Sequence, residues 1–189
     1  MGESQFQGPG LNLRNQLVAI ELSAADRHDP IVKTLLWRDE VATQSFAAAL
    51  ATQPAIRNAF IALHGDLGAG KTTLVRHLLQ ALGVKGRIKS PTYAVVEPYE
   101  LPALHIAHFD FYRFADPREW EEAGFRDLFA SPGLKLAEWP EKAAAFLPLA
   151  DLDLTLRTRG DSAREVTLHA HTPAGVALLQ AAASGESGT

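Results

Sequence analysis

The residues most able to do chemistry stand in one run, Gly65-Asp66-Leu67-Gly68-Ala69-Gly70-Lys71-Thr72-Thr73. Its Gly-x-x-x-x-Gly-Lys-Thr spacing is the Walker A pattern, and triphosphate chemistry explains that spacing. Glycines let successive backbone N–H groups turn inward and form an anion nest. The helix that starts near Gly70 adds the positive end of its dipole. Lys71 then reaches the β and γ phosphates, and the Thr72 hydroxyl ligates Mg²⁺. At ordinary glycine frequencies such a run arises by chance in well under about 1% of chains this long. The expected ligand is a nucleoside triphosphate with Mg²⁺.

A phosphate loop needs an acid near the metal and a group to position the attacking water. Two carboxylates end strand-like segments: Asp110 closes His105–Asp110, and Glu138 closes Leu134–Glu138. The carboxyl ends of strands are where α/β sheets hold ligands. Either acid has a plainer use, capping the next turn or pairing with Arg113. Ser90-Pro91-Thr92-Tyr93 falls where many phosphate-loop proteins sense the γ-phosphate, although Ser-Pro-Thr is also a common way to leave a loop. Arg113 suits an internal arginine finger or a bridge to a neighbouring acid. His108 reads as a hydrogen-bonded structural histidine, and Trp139 as a packing residue placed to report on Glu138 by its fluorescence.

These groups need a scaffold, and the pattern supplies one. Ala59–Leu63 is a continuous apolar run, as a strand buried on both faces requires. After the glycine loop, Leu74, Val75, Leu78, Leu79 and Leu82 form a helical stripe that Gly83 closes. Upstream, Ile31–Trp37 suits a strand, with Asp39 as N-cap of a helix carrying Val41, Phe46, Ala47 and Leu50. Downstream, Tyr93–Tyr99 and Leu104–Phe111 read as a hairpin around Leu101-Pro102. Glu119–Phe129 gives one or two short helices broken near Gly124, Gly133–Ala137 a buried strand, and Glu141–Phe146 a short helix. Leu152–Leu156 and Val166–Ala170 make a second hairpin around Arg159–Ser162, and Pro173 starts a last helix. The expected class is α/β: a phosphate-loop NTPase-type, mostly parallel sheet flanked by helices, with antiparallel hairpin additions. Residues 1–30 read as a partly disordered extension in which Gln16–Leu22 suits a short strand, 31–182 as the ATPase domain, and 183–189 as a frayed tail.

Composition narrows the partners. The chain has 189 residues, 47% hydrophobic and 21% charged, enough apolar material for a sizeable core. It contains no cysteine, which removes disulfides, thiolate metal sites and a cysteine nucleophile. Its net charge of −4, from 18 basic and 22 acidic residues, is not that of a protein that grips nucleic acid alone. If RNA is involved, a partner holds it. Neither a secretory leader nor an apolar run of membrane-spanning length is evident, so the expectation is a cytoplasmic protein with no membrane association.

Read together, Gly65–Thr73, Ser90-Pro91-Thr92-Tyr93, His108-Phe109-Asp110-Phe111-Tyr112-Arg113 and Glu138-Trp139-Pro140-Glu141 resemble the TsaE (YjeE) family, with Glu121-Glu122-Ala123-Gly124 as a weaker fifth match. The similarity runs from about Ile31 to Ala170. It implies a compact phosphate-loop ATPase, slow on its own, whose ATP cycle supports repeated turnover of a TsaB–TsaD complex. That complex places a threonylcarbamoyl group on an adenosine of tRNA, so tRNA is met only through the partners. By the same resemblance Lys71, Thr72 and Thr73 handle phosphates and metal. Asp110 and Glu138 become the essential acids near Mg²⁺, and Thr92 answers to nucleotide state. A small-molecule phosphate-loop kinase is the rival reading, but the sequence shows no arginine-rich lid of the kind that excludes water. In a third reading the nucleotide is structural and its hydrolysis incidental.

Overall fold

A computed structural model describes residues 31–184. The expected strand at Gln16–Leu22, the rest of the N-terminal extension and the end of the tail lie outside the described residues.

The strands are β1 Ile31–Trp37, β2 Phe60–His64, β3 Val96–Leu101, β4 Leu104–Asp110, β5 Leu134–Glu138, β6 Leu152–Arg159 and β7 Ala163–Ala170. The helices are α1 Glu40–Ala51, α2 Lys71–Ala81, α3 Pro117–Glu122, α4 Phe125–Ala130 and α5 Pro173–Ser184, with 3₁₀ turns at Pro54–Asn58 and Pro140–Ala143. One seven-stranded sheet runs in the order β1-β7-β6-β2-β5-β4-β3. Its four central strands, β6, β2, β5 and β4, are parallel. The outer pairings β1–β7, β7–β6 and β3–β4 are antiparallel. β2 and β5 sit between parallel neighbours and are buried almost throughout; β2 is accordingly apolar up to His64, whereas β5 carries Lys135 and Glu138. Pro98, which has no N–H to give a ladder, lies on β3 at the sheet edge.

Each face of the sheet carries its own core. Under α1, α2 and α5, the aliphatic side chains Ile61, Leu63, Leu134 and Leu136 pack with Leu50, Leu74, Leu78 and Leu178. The opposite face is aromatic: Phe109, Phe111, Phe125 and Trp120 cluster beneath α3 and α4. Phe109 stacks on Phe129 at 4.8 Å between ring centroids. Among the described residues no helix is long and apolar enough to cross a membrane.

Local chemistry sets the ends that matter for the site. Asp39 caps α1 as the pattern predicts, accepting the Ala42 amide at 2.9 Å. Gly70, left-handed at φ 105°, opens α2. Two expectations shift. The strand expected from Tyr93 starts only at Val96, because Val95 is left-handed (φ 64°) and its amide donates to Pro91 O at 2.7 Å, closing a turn first. The helix expected at Glu141–Phe146 is a 3₁₀ turn at Pro140–Ala143, held early by Pro140 at its first position.

Candidate nucleotide and metal site

β2 delivers the chain to Gly65, the loop Gly65–Gly70 turns, and α2 leaves with Lys71 in its first turn. Gly65 must be glycine on two counts. Its φ is 131°, and a Cβ there would lie 2.3 Å from Leu156 O on neighbouring β6. The loop is braced from the same side by Arg164, whose Nε donates to Ala69 O at 2.9 Å. Sequence reasoning did not single out Arg164, because its partner is a backbone carbonyl from the distant β7.

Lys71 is buried, its ammonium donating to Gly65 O at 2.5 Å and Asp66 O at 2.9 Å. It also stands 3.9 Å above the Trp139 ring. Burial pushes this amine below its ordinary value, against the pull of Glu138, Glu141, Asp110 and Asp66. Trp139 thus packs on the loop lysine itself, and its own backbone is left-handed (φ 56°).

The two predicted acids end adjacent parallel strands, with Asp110 opposite Glu138 in the β4–β5 register. Both are almost fully buried, Asp110 at 3% and Glu138 at 2% exposure. The Thr72 hydroxyl lies 3.0 and 2.8 Å from the two Glu138 oxygens. Asp110 accepts from Thr92 Oγ1 at 2.7 Å and from Ser90 Oγ, and its other oxygen takes the Tyr112 amide at 3.0 Å. Asp110 therefore fastens the Ser90–Thr92 segment to the sheet and caps the following turn. Arg113 bridges to neither acid. Its guanidinium lies 4.5 Å from the centre of the exposed Tyr93 ring instead.

A cleft of about 350 Å³ joins these parts, lined by Leu67–Thr73, Ser90, Thr92, Asp110, Tyr112, Glu138 and Trp139. All nine residues from Gly65 to Thr73 thus lie in the loop and the first turn of α2, with both acids across the cleft from them. Among the described residues no cluster of three or more His, Cys, Asp or Glu side chains forms a protein cage for an ion. Two carboxylates with neighbouring hydroxyls are instead the hard-oxygen set that suits a cation keeping water and phosphate as its other ligands. The loop amides and α2 dipole suit the anion. His108, expected to be a hydrogen-bonded structural histidine, finds its partner in the acid itself: its Nε2 is 2.9 Å from Glu138 Oε1, deep under the cleft.

A family model described as threonylcarbamoyl adenosine biosynthesis protein TsaE matches residues 37–166 of this chain. The Haemophilus influenzae tRNA threonylcarbamoyladenosine biosynthesis protein TsaE is 47% identical over 119 residues, 63% of this chain and 75% of that protein. The Bacillus subtilis protein of the same name is 33% identical over 140 residues, 74% of this chain and 87% of that one. Among solved structures, that of Bacillus subtilis YdiB superposes with a TM-score of 0.65 at 26% identity, covering 83% of this chain and 97% of that one.

Proposed function

Since this chain belongs to the TsaE family, we propose that it is a magnesium-dependent ATPase, slow alone, whose ATP cycle supports a TsaB–TsaD complex in threonylcarbamoyladenosine modification of tRNA. One observation carries the enzymatic part. The Thr72 hydroxyl at the mouth of the phosphate loop is hydrogen-bonded to the buried Glu138 carboxylate at a strand end. A buried carboxylate is costly unless paired or bound to a cation, and this one faces the group that a phosphate loop turns toward Mg²⁺.

In this reading the amides of Gly65–Thr73 cradle the phosphates, and Lys71 gives up its carbonyl partners and the Trp139 face to reach them. Thr72 and Glu138 would hold Mg²⁺, directly or through water, and the chemistry it would supply is charge neutralisation at the phosphate oxygens. Asp110 fixes Ser90 and Thr92 at the cleft wall, so that segment would answer to nucleotide state. The names of the relatives supply the tRNA pathway, and a net charge of −4 favours reaching tRNA through partners in the cytoplasm.

The test is ATP hydrolysis by the purified protein, alone and with the matching TsaB–TsaD complex, with Lys71→Ala as control. Hydrolysis that rises with the partners and vanishes in the variant is the expected result. A rate indifferent to the partners, with phosphate appearing on a small acceptor, would replace this reading with a kinase.

A further inference from the structure

We propose that His108 is a positioning residue for Glu138, fixing its carboxylate for the divalent cation; the proposal rests on the magnesium ATPase reading above. His108 and Asp110 alternate along β4, and Leu136 and Glu138 stand opposite them on β5. Residues two apart share a face, so the imidazole lies one step below the acid pair, among the aliphatic side chains of the α2 face. It is fully buried, with Nε2 2.9 Å from Glu138 Oε1.

The proton count is informative. A carboxylate oxygen only accepts, so Nε2 is the donor and carries the hydrogen. Nδ1 has no partner. It is the sole buried side-chain nitrogen or oxygen without one among the described residues. A leucine or methionine would fill this position with no orphaned polar atom, and leaving a buried polar atom unpaired is unfavourable. Packing alone therefore does not account for a histidine here. What the ring supplies that an aliphatic group cannot is the single bond to Oε1.

That bond has a consequence at the metal. Among the described residues the Glu138 side chain has two donors, Thr72 and His108. In the ATPase reading Thr72 is itself a metal ligand, so its hydroxyl is shared with the ion. The His108 bond does not depend on the ion. The last torsion of a glutamate is soft, and this bond sets the carboxylate plane before the cation arrives. Partners of this kind, one step behind a metal ligand, change metal affinity or activity by about 10–100-fold when removed.

The experiment uses the full chain with His108→Met, His108→Gln and His108→Asn. Mn²⁺ binding with ADP is followed by electron paramagnetic resonance, which needs no turnover, and ADP binding is measured separately in EDTA. His108→Met is expected to weaken Mn²⁺ by about 10–100-fold with metal-free ADP binding unchanged. His108→Gln, whose amide N–H spans about the same reach as Nε2, recovers most of the loss. A purely packing role predicts the opposite order, with Met tolerated and Gln no better. Parent-like Mn²⁺ affinity in His108→Met, or equal weakness in Met and Gln, overturns the proposal while leaving the ATPase reading in place. Should the Met variant not fold, Gln against Asn decides, since the shorter amide cannot reach Oε1; equal affinities there overturn it. A parent protein that binds ADP in neither condition removes the ATPase reading, and the proposal with it.

Discussion

Gly175 lies in the first turn of α5, where helix propensity alone favours Gly→Ala by about 1 kcal/mol. The structure reverses the sign. A Cβ at Gly175 would sit 1.8 Å from Asp151 O and 2.6 Å from Asp151 C. Restoring an ordinary carbon–oxygen contact of about 3.3 Å requires a displacement of roughly 1.5 Å, the rise of one helical residue. Asp151 is poorly placed to yield. Its amide donates to Phe60 O at 2.9 Å, its Oδ2 accepts the Phe60 amide at 2.8 Å, and its carbonyl accepts from His171 N at 3.0 Å. α5 must move instead, although Leu178 and Leu179 are buried in the aliphatic core. Overpacking of this severity belongs at the upper end of its range, about 3 kcal/mol. A strained His171–Asp151 bond adds roughly 1 kcal/mol, which the propensity gain offsets, leaving Gly175→Ala less stable by about 3 kcal/mol. In urea, with a slope of about 2 kcal/mol per molar, the midpoint should fall by about 1.5 M. Gly83→Ala is the control: φ is 104° but nothing lies within 4 Å, so only about 1–2 kcal/mol of backbone strain is expected. Because α5 contributes nothing to the lining of the proposed nucleotide cleft, folded Gly175→Ala should bind ADP as the parent does. A midpoint equal to or above the parent's would refute the argument, because the start of α5 would then be free to shift at no cost.

Three further outcomes follow from the site and its surroundings. Glu138→Gln keeps the shape but presents an amide to two donors, and losing charge-assisted bonds worth about 1.5–3 kcal/mol should lower Mg²⁺-dependent single-turnover hydrolysis by roughly 10–100-fold; an undiminished rate would remove Glu138 from the site. Nucleotide should draw the Lys71 ammonium off the Trp139 ring and change tryptophan emission, whereas Trp139→Phe should abolish the change although Trp37 and Trp120 remain; a signal that survives would place its origin elsewhere. The last concerns pH. The hydrogen bond to Asp153 holds His64 above its ordinary value of 6.5. Burial works against the Asp153 charge, yet bonds from His64 and His171 outweigh it and hold that carboxyl below 3.8. The stability that Asp153 lends is therefore present above 3.8 and lost on acidification through its lowered value. That of His64 is present below 6.5 and lost as pH rises through its raised value. Asp153→Asn should cost roughly 1 kcal/mol near pH 6, with the gap narrowing in alkali; thermal melts showing a gap that is constant with pH would refute the linkage.

Local signals were enough to find most of the scaffold. Phe60–His64 and Lys71–Ala81 follow from an apolar run, a glycine loop and a 3.6-residue stripe, and the cap at Asp39 from its side chain. Boundaries failed where conformation depended on one residue's backbone. Nothing in the letters of Tyr93–Val95 marks Val95 as left-handed, and the hydrogen bond that closes this turn joins it to Pro91 O. The acids at 110 and 138 were legible as strand ends. Their alignment with each other was not, since it depends on a parallel register between segments separated by two helices. Arg164 and His64 were invisible for the same reason: each acts on a partner brought near only by the sheet order.

The sheet order also explains why the chemistry is rooted in one core and not the other. β4 and β5 are adjacent and parallel, so their carboxyl ends emerge together, and alternation sends His108, Asp110 and Glu138 to the face that α2 covers. Their neighbours Phe109 and Ala137 turn to the aromatic face, which contributes bulk but no polar group to the cleft. A register slip of one residue in β4 would exchange the two sets. It would bury a phenylalanine beneath the Gly65–Gly70 loop and send Asp110 and His108 among rings that offer a charged group no partner. The aromatic cluster thus acts on the site through register. Losing large rings from it, as in Phe109→Ala, should loosen the alignment of Asp110 with Glu138 and weaken Mn²⁺ binding, although no atom of residue 109 faces the cleft. Mn²⁺ affinity identical to the parent's in a folded Phe109→Ala protein would show that backbone pairing alone holds the acids in line.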